Sequence, residues 1–290
     1  SEQRWGFTDA VEQKTFDPDI GGVRMQPNLS TPRLSTNALG YRGPLPPMPK
    51  PAGRVRLAFL GASTTFCHEV GSEAATWPHE VWQAVAAAYP QREVDYLNGA
   101  ISGWSMPVMR KAFVKDVAAL RPDIVFIYEA TNALSLDTRA LARTQGLVDE
   151  APDATSWLAE RSVLYGLLEK NYRVWRRSAA ATASAGKLQF DADALSQGYA
   201  GELRQLVAEV KATGALPVLI TFAPRIRRSL SPEAQAEAMV TTAYYMPYLG
   251  VDGALRGFEA YNQRLREVAT ETGAVLIDDI DVRDVAQRSL

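Results

Sequence analysis

Residues 55–66 read VRLAFLGASTTF, and this stretch decides the fold of the chain. A mostly apolar run ends at Gly61, and small and hydroxyl-bearing residues follow at once. A short apolar run bounded by glycine is typical of a strand that is buried on both faces. The stretch therefore predicts a buried strand with Ser63 in the turn that leaves it.

Short apolar runs of the same kind occur four more times towards the C-terminus, and helical patterns separate them. The predicted strands after the first are EVDYLN, DIVFIYE, ALPVLITF and AVLIDD. The helical stretches are WPHEVWQAVAAAY, PVMRKAFVKDVAALR, part of residues 155–213, and LRGFEAYNQRLREVATETG, which Gly273 ends. Alternating strands and helices with right-handed crossovers predict a three-layer α/β/α fold with a doubly wound, mostly parallel five-stranded sheet.

The first 53 residues differ from the rest of the chain in composition. Residues 44–51, PLPPMPKP, contain five prolines in eight residues, which favours extended, polyproline-like backbone. We expect residues 1–53 to form an N-terminal arm with a Pro-rich linker, and residues 54–290 to form the α/β/α domain.

Composition excludes several function classes. The 31 basic and 33 acidic residues are mixed along the chain, so no field favours nucleic acid or an anionic membrane surface. Cys67 is the single cysteine, and His68 and His79 are the two histidines, which gives neither a disulfide framework nor a usual zinc ligand set. We expect no metal and no cofactor, and no apolar run has the length of a membrane-spanning helix.

Three loops follow the first three predicted strands, and each carries a group that acyl transfer uses. The groups are Ser63, Gly103 in NGAISGWS (98–105) and Asn132 in EATN (129–132). The carboxyl ends of parallel strands meet at one edge of a sheet, where ligands bind. A serine hydroxyl there can attack an ester carbonyl, and a backbone N–H and a side-chain amide can hold the oxyanion. Alone, each residue is more typical of a helix cap or turn.

Together these segments resemble the SGNH, or GDSL, serine hydrolases. The Ser63 segment is similar to their first block, NGAISGWS to the second and IYEATNAL to the third. The stretches TNALGYRGP (36–44) and FEAYNQRLREVA (258–269) also resemble bacterial members. The resemblance implies the flavodoxin-like SGNH fold and an esterase or acyltransferase activity. It implies that Ser63 is the nucleophile, with Gly103 N–H, the Asn132 amide and Ser63 N–H forming the oxyanion hole.

The chain departs from the family pattern where a general base is expected. The family places an Asp-x-x-His block after the last strand, but residues 277–290, IDDIDVRDVAQRSL, contain no histidine. Their aspartates are Asp278, Asp279, Asp281 and Asp284. His68 is the candidate substitute base, although base and nucleophile usually come from separate elements. Ala62 and Ala133 also stand where relatives commonly have acids.

Two main hypotheses follow. In the first, the protein is a serine esterase or O-acyl (acetyl) transferase that acts on an acylated carbohydrate or similar ester. Its Asp and His would lie beyond Leu290, and residues 1–290 alone would be inactive or very weak. In the second, it is a non-catalytic SGNH-fold module that recognises a glycan or a protein partner, with the arm as docking element. A phosphate binder using the helix start after Gly61 is a third, although no P-loop signature occurs.

The resemblance to anchored bacterial proteins also bears on location. It implies a periplasmic or extracellular protein with a membrane anchor outside residues 1–290. A cytoplasmic location is the alternative.

Overall fold

The computed structural model describes residues 14–31, 34–67, 69–148 and 186–278. Contacts divide the chain into two compact units. The first unit comprises Ser1–Asn132, Gly198–Phe222 and Gln263–Ile280, and the second comprises Ala133–Gln197, Ala223–Asn262 and Asp281–Leu290. The sheet and all three predicted site residues belong to the first unit.

A five-stranded parallel sheet forms the centre of the first unit, and all five predicted strands are confirmed. Its strands are β3 (Val55–Gly61), β4 (Val94–Asn98), β5 (Ile124–Tyr128), β6 (Leu216–Ile220) and β7 (Val275–Ile277). They lie in the order β4-β3-β5-β6-β7, so successive strands are added on one side of β3 first and then on its other side.

Side chains of β3 pack on both faces of the sheet. Leu57 and Phe59 are fully buried on one face, where the helix Trp77–Ala88 contributes Val81 and Val85. Leu60 points to the other face and lies close to Val117. Helices therefore cover both faces, and the predicted three-layer α/β/α fold is confirmed.

The described residues contain more helices than the sequence patterns indicated. They are α1 (Ser63–Phe66), α2 (Trp77–Ala88), α3 (Met106–Ala112), α4 (Thr131–Thr144), α5 (Ala192–Leu195), α6 (Gln197–Ala212), α7 (Pro232–Tyr245) and α8 (Val251–Thr272). A π-helical turn, Phe113–Val117, and a 3₁₀ turn, Ala118–Leu120, continue α3. Gly273 follows α8 at φ +65°, as the C-terminal glycine of a helix does.

The described part of the arm contains secondary structure that its sequence did not indicate. An antiparallel hairpin joins β1 (Lys14–Asp17) and β2 (Gly22–Met25). Arg24 binds Asp17 and also, at 2.6 Å, Asp116 in the π-helical turn that follows α3. Ion pairs thus attach the arm to the rest of the first unit.

The second unit has its own polar interior. Tyr261 donates to Asp137 Oδ2 at 2.5 Å, and burial raises the pKa of that carboxyl group. Thr138 and Tyr248 share a hydrogen bond at 3.2 Å. These bonds join α4, α8 and the segment between α7 and α8.

Candidate active site

Ser63 is the first residue of α1, directly after β3. The turn requires glycine at position 61, because a Cβ there would lie 2.0 Å from Thr65 Oγ1 and 2.7 Å from Tyr128 O. Ser63 is half-buried, Thr64 is exposed and Thr65 is fully buried. The sequence thus folds into a tight turn that leaves Ser63 at its surface.

Every carbonyl from Ser63 to Cys67 accepts a hydrogen bond. In order along the turn, the donors are Cys67 N, Trp77 Nε1, Asn98 Nδ2 and, for the last two carbonyls, Arg42 Nη1. A four-residue helix leaves its last carbonyls without helical partners, so side chains from other elements must satisfy them. The backbone that carries Ser63 is therefore held by three side chains from three different segments.

The second loop presents Gly103 outward and buries Trp104. Gly103 is exposed at φ +94° with open space around it, so the backbone angle alone favours glycine. Trp104 is 1% exposed, and its Nε1 donates to Val23 O at 2.7 Å. The Tyr41 ring packs edge-on against it, with centroids 6.1 Å apart. The buried indole anchors the loop while Gly103 remains accessible.

The arm also binds this loop on its other side. Lys14 Nζ donates to Ser102 O at 3.1 Å, and burial lowers the pKa of the Lys14 amine. The Ser102 hydroxyl is buried without a hydrogen-bond partner among the described residues.

The third loop is tied directly to the second. Asn132 N donates to Glu129 Oε1 at 2.6 Å, and Asn132 Nδ2 donates to Trp104 O at 2.9 Å. A side-chain amide has two N–H groups. One binds Trp104 O, so the other can donate to a bound oxyanion. Glu129 is 1% exposed and fixes the start of α4.

The three loops lie at the same edge of the sheet. Gly61 pairs with Tyr128 in the β3–β5 register, and Thr65 Oγ1 donates to Tyr128 O at 3.3 Å. Asn98, at the end of β4, donates to Thr65 O at 3.0 Å. The structure thus brings the loops of Ser63, Gly103 and Asn132 together, and their catalytic roles stay predictions.

The general base is not found among the described groups. His79 Nδ1 lies 3.0 Å from Tyr96 OH, and no hydrogen bond within the described ranges joins His79 to Ser63. Asp278 forms two bonds of 2.8 Å with Arg266. The candidate His68 lies outside the described residues, as do the other three predicted aspartates, Asp279, Asp281 and Asp284.

The described residues contain no group of three or more His, Cys, Asp or Glu side chains that could bind a metal ion. None of the helices in these ranges is both long enough and apolar enough to span a bilayer.

Sequence reasoning missed the side chains that hold the Ser63 turn. No sequence pattern assigns Arg42, Trp77 or Asn98 to the support of this turn, although Arg42 lies in the TNALGYRGP stretch. An arginine between glycines in an otherwise uncharged motif was the available signal. Their partners are backbone carbonyls, which no sequence pattern identifies.

Comparisons with known proteins give one family and several solved structures. The family model described as "GDSL-like Lipase/Acylhydrolase family" matches residues 59–289. No curated protein matches the chain. Axe2, an acetylxylan esterase from Geobacillus stearothermophilus, is 17% identical, with 81% of each chain covered and a TM-score of 0.44. LAE5, an alpha/beta hydrolase enzyme from the metagenome of Lake Arreo in Spain, is 16% identical, covering 77% of this chain and 76% of that one, with a TM-score of 0.41.

Proposed function

The chain belongs to the GDSL-like lipase/acylhydrolase family, and we propose that it is a serine ester hydrolase or O-acyltransferase whose nucleophile is Ser63. The observation that carries the proposal is the turn at Ser63, where five consecutive carbonyls are bonded and Ser63 itself is only half-buried. Such fixed geometry is what an attacking group needs, because small displacements of reacting atoms are costly in rate. A helix cap needs no such support.

The proposed reaction proceeds in two steps. Ser63 Oγ attacks the ester carbonyl, its proton passes to a base, and the alcohol leaves as the acyl-enzyme forms. Gly103 N–H, the second Asn132 amide N–H and Ser63 N–H would stabilise the oxyanion. Water or a sugar hydroxyl then accepts the acyl group. The proposed substrate is an acylated carbohydrate or similar ester.

The base is the second part of the proposal. His79 is engaged by Tyr96, and Asp278 by Arg266. We propose that the base is a histidine, for which there are two candidates, His68 and a histidine of an Asp-x-x-His segment that the full reading frame would have to supply. A serine without a base stays protonated at neutral pH and is a poor nucleophile.

The test compares two proteins, one ending at Leu290 and one expressed from the full reading frame. The shorter protein should show little turnover of p-nitrophenyl acetate and no labelling by a fluorophosphonate. The longer one should do both, and lose both on replacement of its added histidine. Rapid labelling of Ser63 in the shorter protein would assign the base to His68, which His68→Ala would check. A reading frame that stops after codon 290, with Ser63 unlabelled, would favour the non-catalytic binding module.

A further inference from the structure

Arg42 is a buried cation in the arm, and it contacts the turn that carries Ser63. Its side chain is 1% exposed. Nη1 donates to Phe66 O at 3.2 Å and to Cys67 O, and Nη2 donates to Val70 O at 2.8 Å. One guanidinium thus binds the end of α1 and the segment after it.

The charge of Arg42 is balanced locally. Its Nε lies 3.2 Å from Glu73 Oε2, and the other Glu73 oxygen accepts from Tyr96 OH at 2.8 Å. This hydrogen bond and, more strongly, burial raise the pKa of Tyr96. A buried charge is tolerated when it is paired and its remaining donors are satisfied, and Arg42 meets both conditions.

The neighbouring residue of the arm reaches the other loop. Tyr41 is fully buried, packs against Trp104 and donates to Asp116 Oδ2 at 3.2 Å. Two adjacent arm residues therefore contact the Ser63 loop and the Gly103 loop respectively. The bridge between Thr36 and Arg42 and the bonds of the Asn37 side chain to Leu39 N and Tyr41 N fix this part of the arm.

We propose that Arg42 is a positioning residue that holds the Ser63 turn in its reactive geometry, so that the arm is part of the catalytic framework. The proposal rests on Ser63 being the nucleophile. Arg42 acts through the carbonyls of Phe66, Cys67 and Val70 and does not contact substrate. Lysine cannot replace it, because one ammonium group cannot span three carbonyls and a carboxylate in the planar arrangement of a guanidinium.

Arg56 provides a matched control on the same unit. It is 0% exposed, pairs with both oxygens of Asp95 and donates to Pro47 O in the arm and to Leu120 O. It also links the arm to the sheet through a buried guanidinium. However, it lies at the start of β3, whereas the Ser63 turn follows the end of that strand. A purely structural role for Arg42 predicts the same behaviour for both arginines.

Hydrogen–deuterium exchange of Arg42→Lys and Arg56→Lys tests the positioning directly. We expect the amides of residues 63–70 to exchange at least about tenfold faster in Arg42→Lys, since charge-assisted bonds to their carbonyls are lost. In Arg56→Lys, that segment should change no more than the rest of the unit. Equal exchange of 63–70 in the two variants would overturn the proposal.

Kinetics of the protein from the full reading frame give the second readout. Arg42→Lys should lower kcat on the order of a hundredfold with KM within about twofold, whereas Arg56→Lys should leave kcat of the folded protein within about twofold. Equal kcat values would contradict the proposal. If Arg42→Lys does not fold, Glu73→Gln removes the paired charge and one of the two accepting oxygens while Arg42 remains, and it is compared in the same way.

The two readouts separate this proposal from the proposed function. Wild-type turnover that survives Ser63→Ala would refute Ser63 as nucleophile, and with it the catalytic meaning of Arg42. Faster exchange confined to 63–70 would still establish that Arg42 holds the turn.

Discussion

The two edges of the parallel sheet satisfy their polar groups in different ways. At the edge where the strands begin, Arg56 pairs with Asp95, and Asp123 accepts from Lys50 Nζ at 2.5 Å and from Arg56 N at 2.6 Å. Oppositely charged side chains pair with one another there.

At the edge where the strands end, the donors are mostly neutral and the acceptors are backbone carbonyls. Trp77, Asn98 and Asn132 each donate to a loop carbonyl. Two buried atoms, Asn98 Oδ1 and Ser102 Oγ, lack a hydrogen-bond partner among the described residues. Unsatisfied buried groups are costly, and Arg54 Nε, next to the start of β3, is another among the described residues. The two edges therefore differ mainly in their partners, because side-chain ion pairs dominate at one edge and bonds to loop carbonyls dominate at the other.

The largest expected effect comes from removing the Ser63 hydroxyl, at the edge where the strands end. Ser63→Ala in the protein from the full reading frame should lower ester hydrolysis by roughly 10⁴-fold or more, since the nucleophile is lost. Initial rates with p-nitrophenyl acetate measure this. Thr64→Ala, at the exposed neighbouring position, is the control and should retain activity. Retained turnover in Ser63→Ala would show that Ser63 is not the nucleophile.

Asn132→Ala should have the next largest effect. Losing one oxyanion donor typically lowers kcat by about 10²-fold to 10³-fold, with little change in KM. Thr131→Ala, one residue earlier, is the control. Steady-state kinetics that show a change in KM alone would assign Asn132 to substrate binding instead.

Two glycines, one near each edge of the sheet, allow an effect on stability to be separated from an effect on catalysis. Gly103 and Gly53 have φ of +94° and +77°, and both have open space around the missing Cβ. Alanine at either position should lower the free energy of unfolding by about 1–2 kcal/mol through backbone strain alone. Only Gly103→Ala should also lower kcat, by roughly tenfold or more, because its N–H is displaced. Denaturant unfolding and kinetics measure the two effects, and equal kcat values would exclude Gly103 as a donor.

The smallest expected effect concerns the hairpin near the Gly103 loop. The hydrogen bond from Arg24 holds the pKa of Asp17 at about 2, below its ordinary 3.8. Because the folded pKa is lowered, this stabilisation is fully present above the ordinary pKa and is lost as pH falls towards 2. Asp17→Asn should therefore flatten the decline of Tm between pH 4 and pH 2. Asp19→Asn, a more exposed change in the same hairpin, is the control, and identical slopes in wild type and Asp17→Asn would contradict the assignment.

Much of the fold followed from the sequence because short apolar runs between helical patterns are typical of strands in a parallel sheet. Strand β3 fits this expectation fully, whereas β7 is an edge strand in which Val275 and Ile277 are exposed. Helices α4 and α7 were not predicted. The hairpin of the arm was missed because KTFD and GVRM are short and only partly buried.

The candidate site was only partly predictable. The positions of Ser63, Gly103 and Asn132 after successive strands indicated the edge at which they would meet. The side chains that support the Ser63 turn were not predictable. Arg42, Trp77 and Asn98 bind backbone carbonyls that lie more than ten residues away in sequence. Backbone acceptors are identical at every position, so only the fold selects them.

A crystal structure of the protein from the full reading frame, with a phosphonate bound covalently to Ser63, would show directly whether the three loops form an oxyanion hole. We expect one phosphonyl oxygen to lie about 2.7–3.1 Å from both Gly103 N and Asn132 Nδ2. Gly103 and Asn132 more than about 10 Å from the Ser63 adduct, or a phosphonate attached to another residue, would contradict it.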